Sequence, residues 1–127
     1  MSALIDTHVF LWFQTRSPNL SAPVRAFIED PGQLIYMSAA SFWEIAIKRR
    51  SGKLALDGPL RAGAADAGFV ELAMDAADGE TAGGLDWAHR DPFDRMLVAQ
   101  CLNRGLTLVT ADRILRGRGD IAILWAG

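Results

Sequence analysis

The chain has 127 residues, half of them hydrophobic, and a formal charge of −2, which suits one compact domain over 1–127 with a core of its own. The charge excludes a whole-protein basic field, so any binding to nucleic acid must come from a local patch. A single cysteine, Cys101, excludes an internal disulfide; with no basic leader and no apolar run near the roughly 20 residues of a membrane span, a soluble cytoplasmic protein with no membrane partner is expected.

In chain order, Ala3-Leu4-Ile5 is a short apolar run that reads as a buried strand, ending in Asp6, with a helix over His8–Gln14. Arg16–Asn19 is a loop, and Ser21 with Pro23 just inside opens a second helix that Pro31-Gly32 stops. Leu34–Met37 reads as strand two, and Ala40–Arg50 as a helix with Phe42, Ile45 and Ala46 at helical spacing. Leu60–Ala67 is a weaker helix, Phe69–Leu72 a third strand, and Asp75–Leu85 the least readable segment because of Gly79, Gly83 and Gly84. Asp91-Pro92 opens the clearest helix, ending at Arg104 before Gly105; Thr107–Val109 is strand four, Asp112–Arg116 a short helical turn, and Ile121–Leu124 strand five. Strands alternating with helices over short connections imply crossovers and a mainly parallel sheet.

Four acids stand near helix starts: Asp6, Glu44, Asp94 and Asp112. Each has a purely structural reading. Asp6, Asp91 and Asp112 suit N-caps, Ser41-x-x-Glu44 has capping-box spacing, and Asp94 is the third residue of its helix. If the strands are parallel, however, their ends share one sheet edge, where chemistry gathers in open α/β folds. Two carboxylates about 4 Å apart repel by about 4 kcal/mol at an effective dielectric near 20, whereas a cap stabilises by about 1 kcal/mol. Convergence of these acids would therefore need protons or a divalent cation, and an all-oxygen set suits Mg²⁺ or Mn²⁺.

Leu4–Trp12 (LIDTHVFLW), Ser41–Ile45 (SFWEI), His89–Gln100 (HRDPFDRMLVAQ) and Leu108–Asp112 (LVTAD) resemble, in order, the successive blocks of PIN-domain nucleases, and more narrowly the VapC-type toxins of bacterial toxin–antitoxin pairs. The resemblance spans essentially the whole chain. It implies a three-layer α/β fold with a central parallel sheet in the order 3-2-1-4-5 and helices on both faces. It also implies that Asp6, Glu44, Asp94 and Asp112 are the catalytic, metal-binding acids, with Thr110 as a polar support. The activity implied is RNA cleavage by metal-activated water, and the partners are a cognate VapB-like antitoxin and a second copy of the chain. His8 stands where many PIN domains carry Asn, which leaves its own role open.

RNA also needs positive charge close to the acids. Lys48, Arg49 and Arg50 follow Glu44 closely and Arg95 follows Asp94; these four are candidate phosphate contacts, with solvated helix-terminal cations as the alternative. His89 reads as a structural loop histidine, and Trp12 and Trp43 as core or interface residues rather than base-stacking ones. Other classes fit less well. A dehalogenase-like phosphotransferase would want a second Asp where His8 stands, and a dinucleotide-binding enzyme would want a G-x-G-x-x-G loop after strand one. A catalytically inactive PIN-like interaction domain is the non-enzymatic alternative.

Overall fold

The computed structural model describes residues 2–127 as five strands and seven helices. In chain order these are β1 (Ser2–Ile5), α1 (Thr7–Gln14), α2 (Ala22–Glu29), β2 (Leu34–Ser38), α3 (Ala39–Arg50), α4 (Leu60–Asp66), β3 (Val70–Leu72), α5 (Ala76–Gly84), α6 (Pro92–Arg104), β4 (Thr107–Thr110), α7 (Arg113–Arg116) and β5 (Ile123–Trp125). All strand pairs are parallel, in the order β3-β2-β1-β4-β5, as the PIN resemblance implied. β5 begins two residues later than the apolar run suggested, because its register on β4 pairs Leu108 with Ile123 and Thr110 with Trp125.

β1 lies in the middle, and its side chains divide the core between the two faces of the sheet. Ala3 and Ile5 pack with Val9, Phe10, Val24, Ile45 and Ala64, so α1, α2 and α4 contribute to one layer. Leu4 points the other way, into a second cluster with Leu97, Val98, Cys101, Leu108 and Leu115 from α6, β4 and α7. A strand covered on both faces reads as an unbroken apolar run rather than an alternating one, which is why Ala3-Leu4-Ile5 carries no polar residue. The edge strand β3 differs, with Val70 and Glu71 exposed and Glu71 in an ion pair with Arg61.

The chain runs β1-β2-β3 toward one edge and returns to add β4 and β5 on the other side of β1. The reversal falls between β1 and β4, and at such a switch point the two outgoing connections diverge and leave a crevice at the carboxyl ends of the strands. Asp6 leaves β1 and Thr110 ends β4 at that crevice. α3 closes it from the side, packing against both α1 and α6.

Cys101, buried in the second cluster, has its thiol pushed up to about 12 by burial, so it is a small hydrophobe with no reactive thiolate at neutral pH. No helix among the described residues is long and apolar enough to cross a membrane.

Candidate active site

Asp6 is anchored first. Its backbone N–H donates to the Val109 carbonyl at 3.0 Å. Its side chain caps α1 by accepting from Val9 N at 2.8 Å, and its second oxygen accepts from the Thr110 hydroxyl. Thr110 in turn accepts from the Asp112 amide at 3.0 Å. One β4 hydroxyl thus ties the acid after β1 to the turn that carries Asp112. Asp112 also caps α7, accepting from Ile114 N at 2.9 Å.

α3 is docked on α1 by the Thr7 hydroxyl, which donates to Ser41 Oγ at 3.0 Å, both residues buried. This bond places Ser41 inside the helix. The cap of α3 is Ser38, accepting from Ala40 N, so the capping-box reading of Ser41 and Glu44 does not hold. One turn further on, Glu44 is only 8% exposed and accepts from Lys48 Nζ at 2.8 Å.

The α6 side is built by its cap and by the loop ahead of it. Asp91 accepts from the Phe93 and Asp94 amides at 2.9 and 3.2 Å, as expected of an N-cap. Asp94 does not reach back to that cap; one of its oxygens lies 2.7 Å from His89 Nε2. His89 is held in place by Arg95, whose guanidinium donates to the carbonyls of Ala82, Leu85, Trp87 and His89 at 2.8–3.0 Å. Arg95 is therefore a brace of the 85–91 loop, and its donors are consumed by carbonyls rather than left for phosphate. Arg49 similarly donates to the Gly58 carbonyl at 2.8 Å, and Arg50 is exposed. Of the four basic candidates, Lys48 alone lines the acid cleft among the described residues.

That cleft, about 100 Å³ in volume, is lined by Asp6, Thr7, His8, Glu44, Lys48, Asp91, Asp94 and Asp112. All four acids singled out in the sequence face the same space. Among the described residues His89, Asp91 and Asp94 are the one group of three whose ligand atoms lie within 4.8 Å of one another, so the four acids line a common cleft without any three of them coming that close. A wider depression of about 460 Å³ adjoins it, sharing His8 and Asp112 and adding Trp12, Ala111 and Arg113. The electrostatics are unfavourable to bare carboxylates. Asp6 is pushed up to about 6, chiefly by burial, with the Asp94 charge adding to the effect and the Thr110 and Val9 hydrogen bonds opposing it. Burial raises Asp94 as well, helped by the charges of Asp91 and Asp112 and opposed by His89. Such acids gain from a cation. The donors are hard carboxylate oxygens, which match Mg²⁺ or Mn²⁺, and a histidine bonded to one carboxylate is the kind of neighbour that orients a ligand. The residues fit a divalent ion.

Sequence reasoning missed the Lys48–Glu44 and His89–Asp94 pairs and the place of Arg113 beside the acids. The i,i+4 spacing of Glu44 and Lys48 was a readable signal. The other two depend on how the 85–91 loop and α7 fold back. Trp43, expected in a core or interface, is 56% exposed and meets Phe93 edge-on at 5.2 Å.

A parallel sheet with an acid-lined crevice at its switch point defines an α/β protein with a candidate metal site at the carboxyl ends of its strands. A family model places it further: residues 3–120 match the PIN domain, and the chain belongs to that family. Its fold is similar to that of VapBC2 from Rickettsia felis, solved bound to a DNA fragment from its promoter, with TM-score 0.74 and 12% identity over 100% of both chains. It is also similar to FitAcB from Neisseria gonorrhoeae, with TM-score 0.63 and 20% identity over 98% of this chain and 96% of that one. VapBC-5 from Mycobacterium tuberculosis, a member of the VapBC family of toxin–antitoxin systems, matches with TM-score 0.61 and 16% identity over 98% of each chain. No curated protein matches the sequence.

Proposed function

We propose that this chain is a metal-dependent endoribonuclease of the VapC kind, the toxin of a toxin–antitoxin pair acting in the cytoplasm. The observation that carries the reading is that Asp6, Glu44, Asp94 and Asp112 line one small cleft, where the buried carboxylate of Asp6 has no Lys or Arg partner among the described residues. Membership of the PIN family and the fold shared with VapBC proteins support the same reading, and with it a VapB-like antitoxin as partner and a second copy of the chain in the assembly.

Asp6, Asp94 and Asp112, with Glu44 on the α3 side, would hold Mg²⁺ or Mn²⁺. When bound, such an ion polarises a phosphate oxygen and makes a water molecule nucleophilic at neutral pH. The chain's own contribution is rigidity. Thr110 fixes the carboxylate of Asp6, and His89, held by the Arg95 brace, fixes that of Asp94. The adjoining depression with Trp12 and Arg113 gives the strand beyond the scissile phosphate a place to lie.

Asp94→Asn keeps size and removes charge. Cleavage of single-stranded RNA in Mg²⁺ should fall by more than about a hundredfold, beyond the upper end of what residues supporting a ligand cost, and EDTA should abolish wild-type cleavage. Full metal-dependent activity in Asp94→Asn would refute the site. Absence of cleavage in wild type with either ion would favour the inactive interaction domain.

A further inference from the structure

Lys48 follows Glu44 by one turn of α3, with its ammonium 2.8 Å from Glu44 Oε2. Pairs at this spacing on an open helix surface are nearly neutral for stability. This pair is not on an open surface. Glu44 is buried, and both side chains line the acid cleft, where Lys48 is the single Lys or Arg among the described residues. The other three acids are partnered differently: Asp6 has the Thr110 hydroxyl and the Val9 amide, Asp112 the Ile114 amide, and Asp94 the His89 ring. No Lys or Arg forms an ion pair with any of them among the described residues.

An ammonium carries three donors. Glu44 takes one, and the Lys48 side chain remains 38% exposed, so donor capacity is left toward whatever enters the cleft. In two-ion nucleases a second cation about 4 Å from the first stabilises charge on the reacting phosphate. A lysine can supply part of that as a fixed unit charge.

We propose that Lys48 is a catalytic residue whose ammonium, aimed by Glu44, takes a non-bridging oxygen of the scissile phosphate, and that Glu44 positions Lys48 while Asp6, Asp94 and Asp112 carry the ion. The inference rests on the nuclease reading and narrows its ligand set. It separates two acids that line one cleft: Asp94 acts on the metal and Glu44 acts on a side chain.

The test uses Mn²⁺ titration calorimetry on the full-length protein freed of metal. A second measurement follows binding of a 2′-O-methyl RNA single strand to the Mn²⁺-loaded protein across salt. Asp94→Asn should weaken Mn²⁺ more than about tenfold, whereas Glu44→Gln should change it less than about threefold and Lys48→Met should not weaken it. Lys48→Met should lower the slope of log K against log salt by about 0.7, the value for one phosphate contact on a single strand. Lys48→Arg should restore the slope, and Glu44→Gln should lower it too. If Glu44→Gln weakens Mn²⁺ as much as Asp94→Asn, Glu44 is a ligand and the proposal fails. An unchanged slope in Lys48→Met also overturns it, with the nuclease reading intact. If the wild type takes up no Mn²⁺, the nuclease reading falls and this inference with it.

Discussion

Two acid sites in this molecule have opposite electrostatics. On the α5–α6 side, Asp78 is 1% exposed yet receives both Arg104 guanidinium nitrogens at 2.6 and 2.9 Å, the Asn103 amide at 3.0 Å and the Asp75 backbone N–H at 3.2 Å. Arg104 and these hydrogen bonds hold its carboxyl well below the usual range. At the switch point, burial raises Asp6 to about 6 and raises Asp94 as well. The same residue type is thus a structural anchor in one place and an unbalanced charge in the other. What separates Asp78 from Asp6 and Asp94 is an arginine partner supplied by the chain. Acids that the fold buries without such a partner are a place to look for a ligand.

The sharpest way to break the comparison is to take the cation from the anchor. Arg104→Met leaves Asp78 as a buried charge without its partner and should lower unfolding free energy by about 3–5 kcal/mol in urea titrations. A loss below about 1 kcal/mol would mean that Asn103 and the capping box suffice, and the contrast would dissolve. The opposite change at the other group should stabilise. Asp6 has a folded pKa near 6 against an ordinary value of 3.8. Its protonated form is favoured by folding, so its stability contribution is complete below about pH 4, is lost as pH rises to about 6, and stays lost above that. Two units correspond to about 3 kcal/mol at most. In EDTA, Asp6→Asn should therefore match wild type near pH 4 and exceed it increasingly up to about pH 7, and Mg²⁺ should stabilise wild type more. A gain independent of pH would remove burial of charge as the cause. The smallest effect concerns orientation. His89→Ala frees one Asp94 oxygen and should weaken Mn²⁺ by about tenfold, the range for residues that orient a ligand, with partial rescue in His89→Gln; an unchanged Mn²⁺ affinity would make His89 a loop residue only.

Much of the fold was readable because β1 and β4 carry buried apolar residues at Ala3-Leu4-Ile5 and Leu108-Val109 and the helices carry their own punctuation, as with Asp91-Pro92 at the start of α6 and Gly105, with φ 65°, at its end. α5 was not. Its three glycines oppose helix formation, and it is fixed by the reciprocal Asp75–Asp78 cap and the tether to Arg104 on α6. The role of Arg95 was equally hidden, since its acceptors are loop carbonyls that leave no pattern in residue type. At the candidate site, capping and convergence proved compatible. Asp6 and Asp112 each cap a helix with one oxygen and line the cleft as well, so the local reading was correct and incomplete.

By itself the sequence determined that Asp6, Asp94 and Asp112 stand at helix entrances, because caps and strand ends are set by neighbours a few residues away, whereas Glu44 falls in the middle of α3. Whether those acids meet was decided by the order of the sheet, which sets β1 beside β4 and lets Thr110 bond Asp6 across 104 residues. Which acid receives a cation was likewise decided in three dimensions for Asp78, and by one helical turn for Glu44. Charge acts through space, and only packing sets the distances and the burial that give a carboxylate its energy.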